Sequence, residues 1–296
     1  YEMLRSLVGS EMCIRDRDSS PATTDAAGSR DNTPVVLTGS ADGTVTYGND
    51  SVTVDASHTE EGYLMVSYLG SNSKVKLQIT GSDEITYTYN LHDGYETFPL
   101  TSGSGSYTVG VFENIEGTSY STLFTQAIDV TIQDEFGPYL YANQYVNFSA
   151  DSKVISKAME LSASANDDLE VIENVYNYII TNFTYDYDKA ASVQSGYLPN
   201  VDEVLASQTG ICFDYAAVMA SMLRCERIPT RLEVGYMGDV YHAWISTYIK
   251  DKGWVNGIIE FDGNDWKLMD PTFASTSSDP KDFLTQTDEY ITKYVY

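Results

Sequence analysis

Basic residues are scarce in this chain of 296: 17 lysines and arginines stand against 43 aspartates and glutamates, a formal charge of -26. That shortage removes nucleic acid and anionic membrane surfaces from the expected partners, because both are bound through basic patches. An acidic surface of this kind keeps a protein dispersed. Long apolar runs are missing as well. No stretch approaches the ~18 residues that a bilayer-spanning helix needs, so no transmembrane segment is expected here. Histidine and cysteine are rarer still, three of each. His58 and His92 stand alone, without a second ligand at metal spacing, and read as surface residues. No metal site and no cofactor is expected.

The cysteines reduce further. Cys13 falls in YEMLRSLVGSEMCIRDR, a stretch with no coherent periodicity. Its SLVGSEMCIRDR portion resembles the peptide obtained when sequencing-adapter read-through is translated, so residues 1–17 are set aside as an artefact. Cys212 and Cys225 share one predicted helix. Thirteen residues at 1.5 Å rise put their Cα atoms ~20 Å apart, whereas a disulfide needs less than ~7 Å. Both are expected to be thiols.

Four textures follow one another along the rest of the chain. Residues 18–34, from Asp18 to Pro34, are rich in Ser, Thr, Ala and Asp; they hold almost nothing that could be buried and read as a disordered tether. Such a tether suits a protein held outside the cell, so an extracellular or surface-anchored location of bacterial type is expected, with the natural N-terminus outside these residues. Residues 35–133 carry eight short segments rich in Val, Thr, Tyr and Ile, broken by Gly, Asn, Asp and Ser every 8–12 residues. Several alternate, with Val75, Leu77 and Ile79 on one face and Lys74, Lys76 and Gln78 on the other. An immunoglobulin-like antiparallel sandwich is expected there. It could serve as a spacer, or bind a cell-wall, glycan or other surface partner. Residues 134–150 read as a linker. From 151 to 296 the period becomes helical, with Leu169, Ile172, Val175, Tyr176 and Ile179 at helix spacing. Strand-like segments then end in a hairpin across 262–265, which together indicate an α+β domain.

Within that last domain, TGICFDYAAVMASMLR sets Cys212 at the mouth of a helix that is apolar nearly all round. A buried, rigid support is implied. Gly210 is a candidate N-cap that leaves room for a substrate backbone. A thiol in the first helical turn is favoured as thiolate by the helix dipole, and the free N–H groups there can stabilise an oxyanion. A reactive cysteine needs a base held by a third group. One histidine follows, His242 in YHAWISTYI, and Asp270 follows that in WKLMDPT. Gln208 is a candidate second oxyanion donor by its spacing alone, and Trp244 shares the strand face of His242.

These blocks carry a resemblance. G-x-C-x-D-Y-A, a helix ending in R-x-x-x-I-P-x-R, H-A-W and D-P-T occur in that order, and over residues 168–274 the chain resembles the transglutaminase-like core of the papain-related thiol enzymes. FTYDYD, Phe183 to Asp188, is similar to the stretch that closes the helix before that core. The resemblance implies a catalytic triad of Cys212, His242 and Asp270. It implies attack on a carboxamide or peptide of a protein or peptide substrate, through a thioester. The calcium sites of the vertebrate cross-linking enzymes have no counterpart in this sequence, so calcium activation is not implied. Amide or peptide hydrolysis is the leading expectation. The alternatives are protein-glutamine amine transfer and a non-catalytic surface module that uses the same fold for binding.

Overall fold

The computed structural model describes residues 27–256, 258–261, 266–269 and 290–296. Eight strands build the first half: β1 (Thr46–Gly48), β2 (Val52–Asp55), β3 (Tyr63–Tyr68), β4 (Val75–Thr80), β5 (Thr86–Asn90), β6 (Gly94–Pro99), β7 (Gly105–Glu116) and β8 (Ser119–Val130). They form two four-stranded antiparallel sheets, ordered β1-β2-β3-β6 and β5-β4-β7-β8. The alternation read in β4 is real: Val75, Leu77 and Ile79 are buried while Lys76, Gln78 and Thr80 are only half-buried. Burying each such aliphatic side chain contributes roughly 1.5–3 kcal/mol. Tyr89 of β5 meets Phe98 of β6 with ring centroids 4.7 Å apart, a contact that joins the two sheets.

Residues 134–150 do not run as an exposed linker. Tyr139, Ala142, Val146 and Phe148 are buried, and the Gln144 amide donates to Asn90 O at 2.7 Å. A connection this rich in Tyr, Phe and Val has apolar surface to hide, and it lies in the seam where both halves can cover it.

The second half contains α1 (Lys153–Ser162), α2 (Asp168–Asn182), β9 (Thr184–Tyr185), α3 (Tyr187–Ser192), α4 (Val201–Ser207), β10 (Thr209–Gly210) and α5 (Cys212–Cys225). β11 (Thr230–Met237), β12 (Val240–Ile249), β13 (Gly253–Asn256), β14 (Ile258–Phe261), β15 (Trp266–Met269) and β16 (Tyr290–Val295) follow. α5 is the axis of this half. Every residue from Asp214 to Cys225 is buried, between α1, α2 and α4 on one side and the β13-β12-β11-β16 sheet on the other. β14 and β15 pair as the expected hairpin strands; the residues that join them lie outside the described set. No described helix is long and apolar enough to cross a membrane.

The buried apolar residues of both halves make one continuous cluster. Arg224, 1% exposed, ties the seam: Nε donates to Thr230 O at 3.0 Å, Nη1 to Tyr141 O at 2.7 Å and Nη2 to Tyr296 O at 2.8 Å. The tether expected at 18–34 is not free where it is described, from residue 27 onward. Arg30 Nε bonds Asp168 Oδ1 at 2.7 Å, Asn32 Nδ2 donates to Ala165 O at 3.1 Å, and Val35 N donates to Cys225 O at 2.7 Å. Composition registers apolar burial; this segment is held instead by hydrogen bonds to helix ends, which leave no hydrophobic signature.

Candidate active site

Cys212 is the first residue of α5, and its position is built by the chain just before it. β9 and β10 pair in parallel, Thr184 with Thr209 and Tyr185 with Gly210. Thr184 N donates to Gln208 O at 2.8 Å and Asp186 N to Gly210 O at 2.9 Å. The entry to α5 is thereby locked to the strand that follows α2. The N-cap is Ile211, not Gly210. The capping carboxylate comes from Asp214 in the first turn, whose Oδ2 accepts from Ile211 N at 2.8 Å. Gly210 is needed for a different closeness than expected: a Cβ there would lie 2.7 Å from Asp214 Cβ. The room is used by the cap.

Asp214 is wholly buried and is the hub of a polar network. Lys189 Nζ of α3 reaches Asp214 Oδ2 at 2.7 Å and Tyr197 Oη at 2.6 Å, and Tyr197 Oη donates to Asp214 Oδ1 at 2.5 Å. Burial would lower the Lys189 pKa, but its bonds to Asp214 and Tyr197 outweigh that and raise it, so the ion pair is firm at neutral pH. The network fixes α3 and the loop after it against the start of the cysteine helix.

His242 lies on β12, opposite Gly235 of β11, and is 4% exposed. Its ring stacks beside Trp244, two residues on, with centroids 6.1 Å apart. Trp244 Nε1 in turn donates to Glu233 Oε2 at 2.7 Å, which also accepts from Ser246 Oγ at 2.7 Å. Burial pushes the Glu233 pKa up, against the opposing pull of those two bonds. Trp244 therefore supports the histidine from the side and does not line the cavity described next.

Cys212 and His242 line one cavity of about 460 Å³. Tyr145, Tyr185, Phe213 and Tyr241 are among its walls. Tyr185 borders the same cavity, and its pKa is pushed up to about 12, by burial first and then by Cys212 and neighbouring tyrosines. Its phenol keeps its proton at neutral pH and has an O–H to donate. Gln208 is elsewhere: it takes a left-handed conformation at φ 51° and its amide bonds Tyr178 Oη at 3.3 Å. Asp270 lies outside the described residues. Cys225 stands at the far end of α5, unexposed, with Sγ donating to Met222 O at 3.0 Å, and burial pushes its pKa up to about 12. Both described cysteines are thiols.

His58 and His92 sit in the first half and do not line this cavity. His58 is half-buried between Asp42 at 2.7 Å and Glu61 at 2.9 Å, and His92 Nδ1 lies 3.0 Å from Glu96. Sequence reasoning did not find Tyr185, Lys189 or Tyr197. FTYDYD contains the first, but nothing in its spacing places it in a cavity with a residue 27 positions away. Asp214 stands three residues past the N-cap, where a capping acid belongs, but Ile211 is no usual N-cap and masks the signal.

Residues 155–257 match the model of the transglutaminase-like superfamily. This segment is a transglutaminase-like domain. It begins at α1, earlier than the motif blocks, because the helices packed around α5 belong to it. The UPF0252 protein MJ1282 of Methanocaldococcus jannaschii is 28% identical over 89 residues, which cover 28% of this chain and 24% of that protein. The match thus spans about a quarter of that relative. Among solved structures, a candidate cysteine protease from Cytophaga hutchinsonii aligns at 14% identity over 85% of this chain and 84% of its own, with a TM-score of 0.41. The periplasmic domain of TgpA from Pseudomonas aeruginosa aligns at 15% identity over 81% and 100%, with a TM-score of 0.37. Red sea bream transglutaminase aligns at 14% over 74% and 49%, with a TM-score of 0.32.

Proposed function

We propose that this chain is a thiol enzyme acting on amide or peptide bonds, with Cys212 as nucleophile and His242 as its base. The observation that carries the reading is the shared cavity: the first residue of a buried helix and a buried strand histidine open onto the same space. In this reading the thiol proton passes to His242 as sulfur attacks the carbonyl, and His242 returns it to the departing amine. A thioester is left on Cys212. Water then attacks it, giving one proton to His242, which reprotonates the released thiolate. Asp270 is the proposed third member, orienting the imidazole and stabilising its charged form. Cys212 N–H and the Tyr185 hydroxyl, both at this cavity, are the proposed partners of the oxyanion.

Amine transfer is the second reading, and the aromatic lining favours it: walls of tyrosine and phenylalanine limit the water that competes for a thioester. The test is incubation with a glutamine-containing protein and a labelled primary amine, with Cys212→Ala as control. Peptide or ammonia release that depends on Cys212 is expected. Cys212-dependent amine incorporation that outruns it would make the chain a transferase. No Cys212-dependent product in any channel would leave the fold a binding module.

A further inference from the structure

A second cavity, of about 250 Å³, shares lining residues with the first and takes Lys76, Thr88, Asn90 and His92 from the two-sheet half. Lys76 of β4 and Asn90 of β5 are directly opposed across the strands and both line it, together with Thr88, His92 and Gln144. Tyr145, Ser195 and Gly196 line both cavities and so stand between the pocket and the space at Cys212. This shared lining is seated on the sheet. Gly196 has φ 88°, and a Cβ there would lie 2.6 Å from Asn90 Nδ2.

The chemistry of the two spaces differs. Among the described residues, the cavity at Cys212 is lined by no acidic or basic side chain except the imidazole of His242. The second is polar and carries no acidic lining residue among those described. Its one fixed charge is Lys76, whose ammonium bonds the neutral Asn90 Oδ1 at 2.5 Å. Glu96, the acid beside His92, is held by the Gln144 amide at 2.8 Å and by His92. In a chain of net charge -26, a pocket whose only fixed charge is positive suits an anion.

We infer that the two cavities form one substrate cleft, in which the two-sheet half recognises a carboxylate of a peptide substrate through Lys76 while an uncharged side chain fills the aromatic space at Cys212. This rests on the thiol-enzyme reading and gives the first half a part in recognition. The carboxylate could belong to an acidic side chain or to a peptide C-terminus; both present the same group to Lys76 and Asn90.

Alkylating peptides test it without requiring turnover. Iodoacetyl-phenylalanine is extended by aspartate amide, by asparagine amide, by glycine with a free carboxylate, or by a residue ending in an ammonium group. Labelling of Cys212 is timed by peptide mapping. At low salt at least one carboxylate arm should label about two- to fivefold faster than the asparagine arm. The ammonium arm should be slowest, and the faster carboxylate arm identifies side chain or terminus. The field of the whole acidic chain works against this preference, so only a local cation can produce it. Lys76→Gln should erase it and Lys76→Arg should retain it, with melting curves checking that both variants fold. Equal rates for carboxylate and carboxamide arms, or a preference that persists in Lys76→Gln, would overturn the inference and leave the thiol chemistry standing. Should every reagent label Cys212 no faster than Cys225, the thiol-enzyme reading itself fails and this inference with it.

Discussion

Asp214 shows how much a single buried side chain can hold in place. It closes the cap on α5, pairs with Lys189 and receives Tyr197, all within 2.8 Å. Asp214→Ala would leave an ammonium and a phenol facing an empty site, together with an uncapped N–H. A loss of about 2–3 kcal/mol in denaturant unfolding is expected, discounted because Lys189 is partly exposed. Asp214→Asn, which keeps acceptors but drops the charge, should lose less. Tyr185 makes a separate point. If its hydroxyl serves the oxyanion, Tyr185→Phe should lower turnover by about 100-fold, the scale set by loss of one oxyanion donor, with little change in melting temperature. A change in stability without a change in turnover would assign the residue to packing alone.

Among the strands, β11 and β12 hold His242 through a chain of contacts that ends in a buried acid. Glu233 has a folded-state pKa raised by burial, so its protonated form is the one the fold prefers. The linked stability is present at low pH, below the ordinary carboxylate range, and is lost as pH rises through the raised folded value. Glu233→Gln keeps an acceptor for Trp244 and Ser246 without a charge. It should raise the melting temperature at pH 7 to 8 and flatten that part of the stability profile. A variant less stable than the parent at every pH would show that the ionised carboxylate is required. Strands and helices of this kind were legible in advance: the alternation of β4 and the helical spacing of α2 each reflect one buried face. β16 was not. It pairs with β11 across more than fifty residues, and its burial depends on partners that no local period records.

For the whole molecule, two features decide behaviour. The first is charge. At -26 the folded chain repels itself, and added salt should raise its melting temperature until screening is complete. The second is the seam, where Arg224 gives its three bonds to loop and strand carbonyls and burial draws its pKa down to about 9. Arg224→Ala should cost about 3 kcal/mol and loosen the second half against the seam, since it strands the carbonyls of Tyr141, Thr230 and Tyr296. The candidates Cys212 and His242 come from ordered motifs that name their residue types, and the fold brings both to one cavity. The aromatic walls and the Lys76 pocket could not be read in the sequence, because they arise only when two distant segments face each other across the seam. Activation of Cys212 by His242 underlies every step proposed for this chain. The pH dependence of Cys212 alkylation, in the parent chain and in His242→Ala, probes it without any substrate. The parent should label at Cys212 at least about 100-fold faster than at Cys225 near neutral pH, and in His242→Ala the Cys212 rate should fall and its profile move to higher pH. Identical Cys212 profiles in parent and variant would contradict it.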